Sequence, residues 1–322
     1  MTYLDLRCTA INELPPSVKY LGSLMNLELS SCVRLRNLPS EFSCLKSLGR
    51  LVLSDCTLLD TSNLHLLFDG LRSLGYLCLD NCCNLTELPH NLSLLLSLYY
   101  LSLSGSNVKN IPKSIKHLSQ LETLDLCKCM SLQYLPELPP SIEVLDVTNC
   151  TSLETVFTST AIDEILQEHK VFISFKNCVE LNEYSHNGIM LDAQVRLKEA
   201  AYVDVSAKIE GSKSDPCFFF KSEATSSYHY PPTVICPGSR VPDWFHYRST
   251  KASITIELSV SHSPQSNLFG FIFCLILPQS LPNEKNRNWK IGCECYMEGG
   301  ENIRNTSMCS FATGLVSDHV YL

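Results

Sequence analysis

LYYLSLSGSNVKNIPKSIKHLSQL, residues 98–121, decides how the rest of the chain is read. Leu101 and Leu103 alternate with polar residues, the period of a short strand with one face turned inward. Ser106, Val108 and Ile111 follow, then Pro112, Ile115, Leu118 and Leu121. Pro112 interrupts any helix, and no run of ~10–12 helical positions fits before the pattern restarts. The unit is a strand, a turn and a loose convex segment. It cannot bury its leucines alone and needs a copy on either side.

The copies are present. The strand pair recurs as Leu4/Leu6, Leu27/Leu29, Leu51/Leu53, Leu77/Leu79, Leu101/Leu103, Leu124/Leu126 and Leu145/Val147, 21 to 26 residues apart. That is the ~20–29-residue period of leucine-rich repeats. Three positions after each second strand residue stands Thr9, Cys32, Cys56, Cys82, Ser106, Cys129 or Cys150. These small side chains are expected to face inward as a column and to bond backbone amides left unpaired where the strand turns away. They also set repeat length: the next apolar residue comes two positions after Thr9 and Ser106, but three after the cysteines. Most convex segments enter through a Leu-Pro pair, as in LPSEF around Pro39 and LPHNL around Pro89. The third repeat differs: DTSNLHLLFDGLRSL (60–74) lacks proline and spaces Leu64, Leu67, Phe68 and Leu71 as a short helix. The sequence thus predicts a right-handed α/β leucine-rich-repeat solenoid over residues 1–157, with about seven repeats and the strands on its concave side.

The 322 residues leave room for a second domain with its own core. Net charge is −8, split as −4 in residues 1–157 and −4 in 158–322, so nucleic-acid binding has little electrostatic support. The longest apolar run, 268–277, is about half a membrane span. Asp5 and Arg7 interrupt any signal-peptide core, and the odd count of 17 cysteines forms no compact disulfide framework. A reducing, cytoplasmic compartment follows, with no membrane partner. Sequons at Asn84, Asn91, Asn149 and Asn305 carry little weight without a signal peptide. Met1 occupies a leucine position within a repeat, so the array is expected to be truncated at its N-terminus.

Residues 158–170 are expected to be a connector and 171–322 a mainly β domain. VFISFKNC (171–178) alternates like a strand, and 189–202 has helical spacing. Strand-like stretches follow at 217–220, 254–258, 269–277 and 289–297, divided by Pro- and Gly-containing turns. Many short strands with one helix suggest a β-sandwich. The array's last apolar layer (Leu145, Val147, Leu153, Val156) would otherwise face water, so this domain is expected to cover it and extend the concave face.

Leu-Pro convex segments, the Cys/Thr column and the ending LPELPPSIEVLDVTNCTSLE (135–154) resemble the repeats of plant intracellular immune receptors. The likeness is to the nucleotide-binding, leucine-rich-repeat disease resistance proteins with an N-terminal TIR domain. FKNCVELNEYS (175–185), PGSRVPDWFHYRS (237–249), ITIEL (254–258), LFGFIFCLIL (268–277) and SDHVYL (317–322) resemble their C-terminal jelly-roll/Ig-like domain, which would be cut short at Leu322. The sequence lacks the GxxxxGK[ST] phosphate loop. The resemblance therefore implies the recognition part of a receptor, without its nucleotide switch or NAD-cleaving TIR domain. Implied partners are a pathogen effector or a guarded host protein, and the receptor's own TIR and nucleotide-binding domains. The alternative is a cytosolic leucine-rich-repeat scaffold with no switch.

Candidate binding residues lie at outward strand positions. One column reads Tyr3, Asn26, Arg50, Tyr76, Tyr100, Thr123, Val144; the next Asp5, Glu28, Val52, Cys78, Ser102, Asp125, Asp146; a third includes Arg7, Asp80 and Cys127. Arg and Tyr flanked by carboxylates make the composition of a protein-binding surface. Tyr3, Asp5, Glu28, Arg50, Tyr76, Asp80, Tyr100, Asp125 and Asp146 are its candidates, each weighed against being merely an exposed strand residue. In PGSRVPDWF, Gly238 permits a turn with positive φ and Trp244 can seat the loop in a core, leaving Arg240 and Asp243 for contact. No cofactor or metal is expected: Cys127 and Cys129 face apart, and Cys293 and Cys295 have no further ligand at zinc spacing. No histidine pairs with a nucleophile, so no enzyme is expected.

Overall fold

The computed structural model describes residues 1–59, 64–158, 172–209, 233–245, 274–277, 291–296, 302–308 and 319–321. Two compact units divide the chain: Met1–Glu164 with Ile173–Asp192, and Ile165–Phe172 with Ala193–Leu322.

In the first unit β1 (Tyr3–Asp5), β2 (Asn26–Glu28), β3 (Arg50–Val52), β4 (Tyr76–Cys78), β5 (Tyr100–Ser102) and β6 (Thr123–Asp125) lie side by side. After β7 (Tyr134–Leu135) come β8 (Val144–Asp146), next to β6, and β9 (Thr155–Val156). The pairing is parallel and unshifted, so Tyr3, Asn26, Arg50, Tyr76, Tyr100, Thr123 and Val144 form one row. Between them, the inward leucines at 27, 51, 77, 101, 124 and 145 are buried. A side-chain period of two with one buried face fixes this register, because a slip of one residue would turn every leucine outward.

The convex segments are more ordered than the sequence suggests. Pro16–Tyr20, Ser40–Cys44, His90–Leu94 and Lys113–His117 are single 3-10 turns, each preceded by an extended proline at 15, 39, 89 or 112. Proline fixes the φ from which the turn starts, and one apolar side chain per turn (Val18, Phe42, Leu92, Ile115) enters the core. The proline-free third repeat forms α1 (Leu64–Phe68), burying Leu64, Leu67 and Phe68 as its spacing requires. Next to it, a Cβ on Gly70 would run into the backbone of Ser43 in the preceding repeat. Gly70→Ala is therefore expected to cost about 1–3 kcal/mol in a denaturant titration. Gly22→Ala, with open space around it, should stay within about 0.5 kcal/mol of the parent.

The cysteine column is buried and its thiols are free. Its bonding differs from expectation: the thiols donate to backbone carbonyls rather than accept from amides. Cys32 reaches the Leu6 oxygen at 3.1 Å, Cys56 that of Leu29 at 3.3 Å, Cys129 that of Leu103 at 3.1 Å and Cys150 that of Leu126 at 3.0 Å. Burial pushes the Cys56 thiol up to about 12 and Cys129 to about 11, so both stay protonated donors. The residue just before each rung turns the chain with φ between 55° and 70°: Cys8, Ser31, Asp55, Asn81, Gly105, Lys128 and Asn149. Asn and Asp tolerate that conformation and bond one another across rungs, as Asn81 Nδ2 does to Asp55 Oδ1 at 2.8 Å.

The array continues beyond the 157 expected. β10 (Phe172–Ser174) joins the sheet beside β8, with Val147 N donating to Ser174 O and Asn149 N to Lys176 O. Ile173 and Phe175 take the strand positions and Cys178 the column position, its thiol 3.1 Å from the Val147 oxygen. Asn177 repeats the left-handed turn at φ 62° and bonds Asn149 Oδ1 at 2.8 Å. The strand expected to open the second domain is thus an eighth rung of the first. It is followed by α2 (Glu183–Ile209), longer than the 189–202 expected. Asn182 caps α2, accepting the Ser185 amide at 2.8 Å. Buried Ser185 Oγ accepts the Val156 amide at 2.9 Å and Asn182 N donates to Glu154 O, so the helix start is tied to β9. Gly188 lets the helix approach Thr158 closely. Leu145, Val147, Leu153 and Val156 are all buried in this unit.

The second unit shows antiparallel pairing. β11 (Thr233–Pro237), β12 (Leu275–Leu277) and β15 (His319–Tyr321) lie in the order β11–β15–β12. β13 (Ile291–Tyr296) pairs with β14 (Asn302–Met308), with an irregularity at Cys295/Tyr296. Of the expected connector 158–170 all but residue 158, and the expected strands at 217–220 and 254–258, lie outside the described residues.

Candidate protein-binding face

The unshifted ladder brings the expected Arg-Tyr-Tyr row together. Parallel strands ~4.8 Å apart hold like positions at stacking distance. The Tyr76 and Tyr100 rings stack at 4.1 Å with planes 2° apart, and the Arg50 guanidinium lies 3.6 Å from the Tyr76 ring centre. Arg50 Nε also donates to Glu28 Oε1 at 3.3 Å. Glu28, Arg50, Tyr76 and Tyr100 thus form one continuous array across β2 to β5. Tyr99, which the sequence reading missed, sets its edge against Tyr76 at 6.5 Å from outside the strand. Burial first, and then the Tyr76 phenol, push the Tyr100 pKa up, so this ring is neutral at physiological pH.

The carboxylates fall in two places. At the N-terminal end Asp5 is bidentate to the Arg7 guanidinium, the closest contact being 2.7 Å, and those hydrogen bonds hold its carboxyl down at about 2. Tyr3, 51% exposed, touches Asp5 through its hydroxyl at 3.5 Å, apart from the central stack. Toward the other end lie Asp80, Asp125 and Asp146. Asp80 accepts the Ser102 hydroxyl and the Ser104 amide, Asp125 the Cys127 amide at 2.9 Å, and Asp146 the Thr148 amide at 2.9 Å. Burial raises the Asp125 pKa to about 6 against the Cys127 amide, and the Asp146 and Asp80 charges add to the rise. Lys176, on the eighth rung, is half-buried near Asp146; burial lowers its pKa. Sequence reasoning misses it because its rung falls outside the 21–26-residue spacing of the other repeats.

Asp125 has a measurable consequence. Its folded pKa of about 6 lies above the ordinary carboxylate value of 3.8, so between these values the folded chain binds the extra proton. Stability contributed by the neutral form is present below the lower value and lost as pH rises through the upper one. Asp125→Asn should keep the amide bond, remove that loss and stabilise the chain by on the order of 1–2 kcal/mol at pH 7.5 relative to pH 4. Denaturation midpoints at the two pH values check this.

In the second unit Arg240 and Asp243 are exposed, while Trp244 is only half-buried and stacks on Phe245 at 4.1 Å. Trp244 Nε1 is buried without a hydrogen-bond partner among the described residues. Gly238 has φ 158°, next to the extended region, rather than a left-handed turn. Cys127 is partly exposed and Cys129 buried, as opposite-facing neighbours must be. No group of three or more His, Cys, Asp or Glu among the described residues could hold a metal ion, and no described helix is long and apolar enough to cross a membrane.

Eight parallel rungs with an inward leucine lattice and an aromatic concave face define a leucine-rich-repeat solenoid. The C-JID domain family matches residues 236–317. Disease resistance protein RPS4 of Arabidopsis thaliana is 30% identical over 296 residues, covering 90% of this chain and 22% of that protein. Disease resistance-like protein DSC1 of the same plant is 27% identical over 257 residues (74% and 20%), and TMV resistance protein N of Nicotiana glutinosa 28% over 208 (64% and 16%). Among solved structures, the leucine-rich repeat domain of the type III effector XopL is 21% identical with a TM-score of 0.44, covering 56% of this chain and 70% of that one. The chain is homologous over most of its length to plant disease resistance proteins of the TIR, nucleotide-binding, leucine-rich-repeat class. It spans about a fifth of the length of the curated relatives it matches.

Proposed function

We propose that this chain is the ligand-sensing portion of a plant intracellular immune receptor, binding a pathogen effector or a guarded host protein without catalysis. The observation that carries the reading is the array of Glu28, Arg50, Tyr76 and Tyr100 in the middle of the concave face. Arginine and tyrosine held rigid by their neighbours are the residues on which binding energy concentrates, because little side-chain entropy is lost on contact. Homology to disease resistance proteins supplies the immune context. In this reading residues beyond the repeats form a jelly-roll/Ig-like sandwich, whose exposed loop residues Arg240 and Asp243 are further contact candidates, with Trp244 supporting their loop. The whole receptor would add TIR and nucleotide-binding domains as intramolecular partners, inside the cell. The test is a panel of purified secreted pathogen effectors titrated against the full chain. A genuine binder should lose at least about tenfold in affinity with Tyr100→Ala. Binders indifferent to every concave-face variant would refute the reading.

A further inference from the structure

The Tyr76–Tyr100 stack has two ends, and among the described residues one is filled. At the β3 end, Arg50 lies on the Tyr76 ring and meets the carboxylate of Glu28 on β2. At the β6 end, the register places Thr123 beside Tyr100. Threonine is too short to carry the stack on. The unshifted register also gives Asp125 the same position in its strand as Glu28 has in β2. A carboxylate thus lies beyond the ring at both ends, two strands from Tyr76 at one and on the strand next to Tyr100 at the other, while a guanidinium is present at one. Among the described residues Asp125 has no salt bridge. The titratable groups around it are Asp80, Asp146 and Cys127, with Lys176 beside Asp146. Burial leaves this carboxylate poorly hydrated, the condition under which a partner cation is favoured.

We propose that the concave face takes an arginine side chain from its protein partner, the guanidinium lying on the free face of Tyr100 and bonding Asp125. This rests on the reading of that face as a protein-binding surface. Arginine fits better than lysine because its planar, weakly hydrated group stacks on a ring and bonds a carboxylate at once, as Arg50 does within the chain.

The probe is acetyl-Gly-Arg-Gly-amide, titrated into the full chain carrying isotope-labelled tyrosine, with the lysine peptide alongside. The Tyr100 and Tyr76 resonances should shift saturably, with the arginine peptide tighter by about fivefold. Exposed Tyr20, on a convex turn, is the internal reference and should not move. Tyr100→Leu and Asp125→Asn should each weaken the arginine peptide by about five- to tenfold. Equal affinity for both peptides, or no saturable shift at Tyr100, overturns the proposal. The effector panel separates the two readings. A binder weakened by Tyr76→Ala but indifferent to Asp125→Asn removes the arginine and leaves the binding face standing. A binder indifferent to all concave-face variants removes both.

Discussion

Removing residues 158–322 is expected to leave the repeats aggregated or unfolded, whatever the quality of the seven strands of the main sheet that remain. The reason lies in the last layer. Leu145, Val147, Leu153 and Val156 are between 0% and 4% exposed in the intact chain. Exposing an apolar side chain of that size costs about 1.5–3 kcal/mol each, and domain stability is only about 5–15 kcal/mol. Deletion also strips hydrogen-bond partners from Val147 N, Asn149 N and Val156 N. A single substitution asks the same question more gently: Phe175, 2% exposed, is the inward residue of the eighth rung. Phe175→Ala should cost about 3–5 kcal/mol by denaturant titration. A chain ending at Phe157 that stays soluble, monomeric and as stable as the parent would contradict this description of the eighth rung.

The second large effect is on binding. Tyr76 meets the Arg50 guanidinium on one side and the Tyr100 ring on the other. Tyr76→Ala therefore releases both neighbours and should weaken an effector complex by about 2 kcal/mol or more, roughly 30-fold. The ring is half-exposed, so the fold should lose only about 1 kcal/mol. Affinity by calorimetry and midpoint by circular dichroism separate the two quantities.

The strand register was readable because inward leucines and an unvarying column position recur at short intervals; those two periods place every concave side chain from Tyr3 to Val144. Stacking of Tyr76 on Tyr100 follows from that register and from strand spacing alone. The eighth rung was hidden by its interval: Ile173 comes 28 residues after Leu145, beyond the 21–26 of the other repeats, and Phe replaces Leu at 175. Its signal was nonetheless there, in Asn177-Cys178 repeating Asn81-Cys82 and Asn149-Cys150. The thiols' choice of carbonyl over amide was not readable, since a thiol can either donate or accept and only the turn geometry decides. For Trp244, motif composition suggested a core residue, but half-burial depends on neighbours far along the chain.

The most direct test of the concave face as the binding surface is hydrogen exchange on the full chain, with and without a bound effector from the panel. The expected result is protection of amides in residues 76–80, 100–104 and 123–127 on binding, with the convex turns at 40–44 and 90–94 unchanged. Protection confined to those convex turns, with the strand segments unaffected, would contradict it.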